Sequence, residues 1–163
     1  MSYKNENMKM IELHENGLDI QFRIRENGVV ELADFSSQEV KKAVMEPKDD
    51  ICYPAVEIHR SGTGSLNMHA YKNNINQSSV DFVYENHELK AQAGGKELEI
   101  VMISPEKLKA VYHMRLFDGV PAVQTWTEII NEGSEDQGLT YVSSFMYQGI
   151  SRGGEKPYYK KTD

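Results

Sequence analysis

The alternation in "LDIQFRIR", Leu18 to Arg25, constrains this chain more than any other feature. Leu18, Ile20, Phe22 and Ile24 fall on one side, and Asp19, Gln21, Arg23 and Arg25 on the other. A period of two is that of an extended strand with one dry and one wet face. The segment lies between two Glu-Asn-Gly triplets, Glu15 to Gly17 and Glu26 to Gly28. Asn-Gly accepts positive φ at both central positions of a tight hairpin turn. The reading is three strands of an antiparallel meander: "MIELH", "LDIQFRIR" and "VVELADF".

The same pattern recurs downstream. "AVEIHRSG" reads as a strand closed by "SGTG", and "SLNMHAYKNN" alternates Leu66, Met68 and Ala70 against polar neighbours. "SSVDFVYENHELKAQA" and "KELEIVMI" are split by Gly94-Gly95. "KLKAVYHMRLF" puts Leu108, Ala110, Tyr112, Met114 and Leu116 on one face. "DGVP" turns the chain into "AVQTWTEIIN", and "EGSEDQG" turns it into "LTYVSSFMY". "SSQEVKKAVMEP" is open to a short helix, capped by Ser37 and ended by Pro47, or to a loop. Roughly nine to eleven short strands separated by turns predict an all-β fold. The expected architecture is an antiparallel β-sandwich with at most one short helix. Residues 1–150 form the expected domain. Residues 151–163 lose the alternation and read as a linker or the truncated start of a further segment.

Trp126, the single tryptophan, shares a strand face with Ala122, Gln124, Glu128 and Ile130. The opposite face, with Val123, Thr125, Thr127 and Ile129, can serve as core. Trp126 then covers another element or offers a platform to a sugar.

Composition excludes several classes of function. The 163 residues, 39% hydrophobic and 26% charged, suit one soluble domain with a real core. A net charge of −7 repels a phosphate backbone, so no nucleic-acid partner is expected. "KPYYKK" near the end reads as a solvated tail. Cys52 is the single cysteine, so no internal disulfide forms. "MSYKNENMKM" has no apolar stretch of signal-peptide type, and no run approaches membrane-spanning length. The expectation is a cytoplasmic protein with no membrane partner.

No strong catalytic or metal motif is present. His14, His59, His69, His87 and His113 form no HxH or HxxxH pair, and Cys52 has no CxxC partner. Scattered surface histidine is the better reading, so neither a metal nor another cofactor is expected. "SGTG" lacks the rest of a phosphate loop and reads as a turn. No GxSxG surrounds a serine. The many carboxylates read as a solvated face, because sequence spacing between strands does not report separation in space.

"LFDGVPAVQTWTEIINEGSED", Leu116 to Asp136, resembles the N-terminal β-domain of glycoside hydrolase family 36, the α-galactosidase (melibiase) family. Val120-Pro121 opens the matching strand and Asn131-Glu132-Gly133 closes it. Upstream, "YPAVEIHRSGTGSLNMHAYKNN", "NHELKA" and "GGKELEIVM" are similar to the family's segments in the same order. The resemblance runs from about Ile11 to Gln148. It implies a supersandwich of the galactose-mutarotase type, packed on a (β/α)₈ barrel that carries both catalytic aspartates. A barrel needs about 250 residues, so this chain is expected to hold no catalytic residue and to be inactive alone. The resemblance further implies a homo-oligomer and an α-galactoside-type sugar bound by the intact enzyme. It assigns Asp50 to substrate binding, in a segment of form Asp-aromatic-Arg-x-Pro-Ala. Here the segment is Asp50-Ile51-Cys52-Tyr53-Pro54-Ala55; Ile51 and Cys52 depart from the aromatic and the arginine. That departure points to another α-linked sugar or a reshaped site.

Two other readings compete. One is a free-standing carbohydrate-binding β-sandwich. The other is a mutarotase-like epimerase, which needs histidine and carboxylate groups converging in a concave face; the chain is short for it.

Overall fold

In the computed structural model of the chain, residues 9–37, 53–64 and 77–147 are described. They form β1 (Lys9–Glu15), β2 (Leu18–Ile24), β3 (Val30–Ser37), β4 (Ile58–Arg60), α1 (Gln77–Val80), β5 (Val83–Gln92), β6 (Gly95–Ile103), β7 (Leu108–Phe117), β8 (Val120–Asn131) and β9 (Leu139–Val142). Among the described residues the fold is all-β, with one helical turn. β1-β2-β3 form one antiparallel meander, β5-β6-β7-β8 a second, and β4 pairs with β9.

The two meanders face each other across a single core. β2 sends in Ile20 and Phe22, β6 sends in Leu98 and Ile100, and β7 sends in Tyr112 and Met114. The Phe22 and Tyr112 rings meet edge to face, 5.6 Å between centroids. Burial pushes the Tyr112 hydroxyl well above its ordinary pKa, although a hydrogen bond with Thr125 pulls the other way. On β8, Val123 and Ile129 pack against the core. This is the β-branched face, so Trp126 projects from the outside of the sheet.

The two Asn-Gly turns differ. Asn16 (φ 53°) and Gly17 (φ 82°) are both left-handed, as a two-residue hairpin requires. At the second triplet only Gly28 is left-handed (φ 86°), and Arg25 closes the loop by bonding both Gly28 and Val29. The extra residue turns the chain so that Gly28 meets β5: its carbonyl accepts the Tyr84 amide at 2.8 Å. A Cβ on Gly28 would lie 2.9 Å from the Val83 Cβ.

Asn16 also joins the sheets at one end. Its side-chain nitrogen donates to the Phe117 carbonyl (2.9 Å), and its side-chain oxygen accepts the Gly119 amide (3.0 Å). The β1–β2 turn is thereby clasped to the β7–β8 turn. Asn16→Ala loses both bonds and the residue type suited to positive φ, and is expected to cost about 1–3 kcal/mol. Asn16→Asp keeps the acceptor alone and should fall between. Chemical denaturation of the three proteins checks the order.

Three expectations are corrected at element ends. "SSVDFVYENHELKAQA" does not begin as a strand: Gln77–Val80 form the helical turn, because the Ser78 and Ser79 hydroxyls bond the Ile58 backbone. "AVEIHRSG" narrows to Ile58–Arg60, and "LTYVSSFMY" to Leu139–Val142. Ser37, read as a helix cap, pairs with Leu18 at the end of β3. The rest of that candidate helix, Asp50, Cys52, "SLNMHAYKNN" with His69, and the 151–163 tail lie outside the described residues. Among the described residues, no helix is long and apolar enough to cross a membrane.

Candidate functional site on the outer face of the second sheet

Strand register assembles a site that no linear motif announces. Ile103 pairs with Lys109 across the β6–β7 turn, which places Glu99 opposite His113. On the next strand Trp126 lies opposite His113, and on the other side Glu88 lies opposite Glu99. Glu97, two residues before Glu99 on β6, projects from the same face.

His113 is the centre of this group. Its side chain is only 8% exposed, although it points away from the core. The Trp126 indole covers it: the rings are parallel within 4° at 4.6 Å. His113 Nδ1 lies 3.0 Å from Glu97 Oε1 and 4.0 Å from Glu99 Oε1. Its Nε2 lies 3.8 Å from Glu128 Oε1 and has no hydrogen-bond partner among the described residues. One imidazole is thus bordered by three carboxylates. The Lys90 ammonium sits 2.5 Å from Glu99 and 3.7 Å from Glu88. The hydrogen bond with Glu99 holds the Lys90 pKa above its ordinary value.

The expectation of scattered surface histidines is corrected at His113. His113 is buried within a carboxylate cluster, and the other described histidines each have a partner. His14 meets Asp19 (2.5 Å), His59 meets Glu57 (2.8 Å), and His87 Nδ1 meets the Tyr84 hydroxyl (2.7 Å). That hydroxyl also accepts from Lys9 at 2.8 Å. Burial, then the Lys9 charge, lowers the His87 pKa. The carboxylates are not all solvated either. Glu31 is buried, with Arg25 at 3.1 Å and Arg23 at 3.6 Å. Buried Arg60 holds Asp81 at 2.9 Å and Glu106 at 2.7 Å. Desolvation alone would raise the Glu106 pKa, but its own backbone amide, Arg60 and Ser104 together lower it.

Glu97, Glu99 and His113 present ligand atoms within 4.8 Å of one another. Two carboxylates and an imidazole are a donor set that suits a divalent cation. Glycoside hydrolysis asks for a different placement, with carboxyl groups flanking the bond to be broken. Glu97 and Glu99 rise from one strand on one side of a sheet, and each already faces a cationic or imidazole partner.

Asp50 itself lies outside the described residues, but its chain is anchored nearby. The Tyr53 amide donates to Glu31 Oε1 (2.9 Å), and the Ala55 amide to the Val30 carbonyl (2.7 Å). Pro54 and Ala55 are both buried. The Asn-x-Gly closure is equally specific. Asn131 Oδ1 accepts the Gly133 amide (3.0 Å), while its side-chain nitrogen donates to the Glu135 carbonyl (2.9 Å). A Cβ on Gly133 would lie 2.7 Å from the Glu106 carbonyl oxygen, so a side chain there would push the loop off the β6–β7 turn.

In comparisons with known proteins, no family model and no curated protein matched this chain.

Proposed function

We propose that the chain is the non-catalytic N-terminal β-sandwich of an α-galactosidase-like glycoside hydrolase. In this reading it packs on a catalytic barrel, lends the Asp50 loop to the sugar site and helps to build an oligomer. One observation carries the reading: the segments that resemble the family fall on successive strands β5 to β8, and the Asn131–Gly133 closure is a built turn with two side-chain hydrogen bonds. The anchoring of Tyr53 and Ala55 on β3 adds support. It fixes the chain three residues after Asp50, as a loop that positions one carboxylate needs.

Coding sequence beyond Asp163 tests the reading. Alternating strand and helix segments are expected; their absence together with saturable sugar binding by this chain alone would favour a free-standing carbohydrate-binding sandwich. In the intact enzyme, Asp50→Ala is expected to lower kcat/KM by roughly ten- to a hundred-fold. This is the loss of a charge-assisted hydrogen bond of about 1.5–3 kcal/mol to sugar hydroxyls. The melting temperature should stay nearly unchanged. Steady-state kinetics beside a melting curve give the answer, and unchanged kinetics would remove Asp50 from the sugar site.

A further inference from the structure

We propose that Glu97, Glu99 and His113 form a binding site for a divalent transition-metal cation on the outer face of the second sheet. Donor atoms around a tetrahedral zinc ion stand about 3.4 Å apart, given bonds of roughly 2.0–2.2 Å. The His113 Nδ1 distances to the two carboxylates, 3.0 and 4.0 Å, straddle that value. Small rotations of Glu99, whose side chain is 22% exposed, close the remaining gap.

The second ring nitrogen supplies an independent observation. Among the described residues His113 Nε2 is buried without a hydrogen bond, yet a carboxylate oxygen of Glu128 stands 3.8 Å away. A histidine that ligates a metal through one nitrogen commonly donates the other N–H to a carboxylate, which fixes its tautomer. With Nδ1 on the cation, Nε2 carries the proton, and a small movement of Glu128 satisfies an atom that is otherwise an orphan. The Trp126 stack holds the imidazole plane, so the ligand is oriented in advance.

The Lys90 ammonium beside Glu99 is the present counter-charge. It is partly exposed and sits on a long flexible stem, so a cation with higher charge density can displace it into water. The imidazole excludes calcium and magnesium as the preferred ions and favours zinc.

Zinc titration of the chain near neutral pH tests this. Calorimetry is expected to show one ion bound per chain. The fluorescence of Trp126, the single tryptophan, should change over the same zinc range because the indole lies on the ligand ring. Glu99→Gln and Glu97→Gln should each weaken binding at least tenfold, with the circular dichroism spectrum unchanged. Glu128→Gln should weaken it by about tenfold through the second nitrogen. Lys90→Gln should tighten it several-fold by removing the competing ammonium. His59→Gln should leave it unchanged. No saturable binding, or binding that survives Glu99→Gln but is lost in His59→Gln, would overturn the proposal.

Discussion

Phe22→Ala should destabilise the domain by about 3–5 kcal/mol, the usual cost of removing a fully buried aromatic ring. The Phe22 ring has no exposure and meets Tyr112 from the opposite sheet. Removing it opens a cavity between the sheets. It also ends an edge-to-face contact that contributes about 0.5–1.5 kcal/mol beyond area alone. Domains of this size are stable by only about 5–15 kcal/mol, so much of the folded population is at stake. Denaturant titration followed by circular dichroism measures the loss, and Phe22→Leu should recover most of it. A cost below about 1 kcal/mol would mean that the two meanders do not pack through this ring.

Gly95→Ala should be as damaging for a different reason. A Cβ at Gly95 would stand 1.9 Å from the Leu116 carbonyl oxygen on β7. The obstacle is backbone, so no side-chain rotation relieves it. β6 must move away from β7 at its first residue, where Gly95 pairs with Phe117. The expected cost is about 3 kcal/mol or more, at the upper end for overpacked sites. Hydrogen exchange should show the loss concentrated in the β6–β7 pairing near Leu116. The neighbouring Gly94→Ala meets no atom within 4 Å and carries only the strain of its left-handed backbone (φ 77°). It should cost about 1–2 kcal/mol. Thermal melts of the pair separate collision from strain.

Much of the fold was legible because the core faces are written in period two. The alternation of β2 and β7 places Phe22 and Tyr112 inward, and both are buried. The Trp126 face followed from the β-branched residues on the other side of β8. Short elements were harder. A single helical turn at Gln77–Val80 has no period to display; it exists because Ser78 and Ser79 hydroxyls meet the Ile58 backbone. The His113 group was hidden by another limit. Its members lie at 97, 99, 113 and 126, and ligand motifs read along the chain do not count across strands. The missing signal was register. Once the turn between β6 and β7 is placed at Ser104–Lys107, Ile103 pairs with Lys109, and Glu99 must then face His113.

The clasp between Asn16 and the Phe117–Gly119 turn joins residues more than a hundred positions apart in the chain. The core behind it has the same reach: the apolar row of β2 is covered by strands made much later. Folding must therefore wait for distant contacts, which slows it. During synthesis, at roughly 5–20 residues per second, the first meander leaves the ribosome several seconds before Leu116 and the rest of β7. For that interval Ile20, Phe22 and Ile24 have no second sheet to cover them. The order in which the two halves are made thus leaves this apolar row open to aggregation, and slower translation through β5 to β7 lengthens the interval.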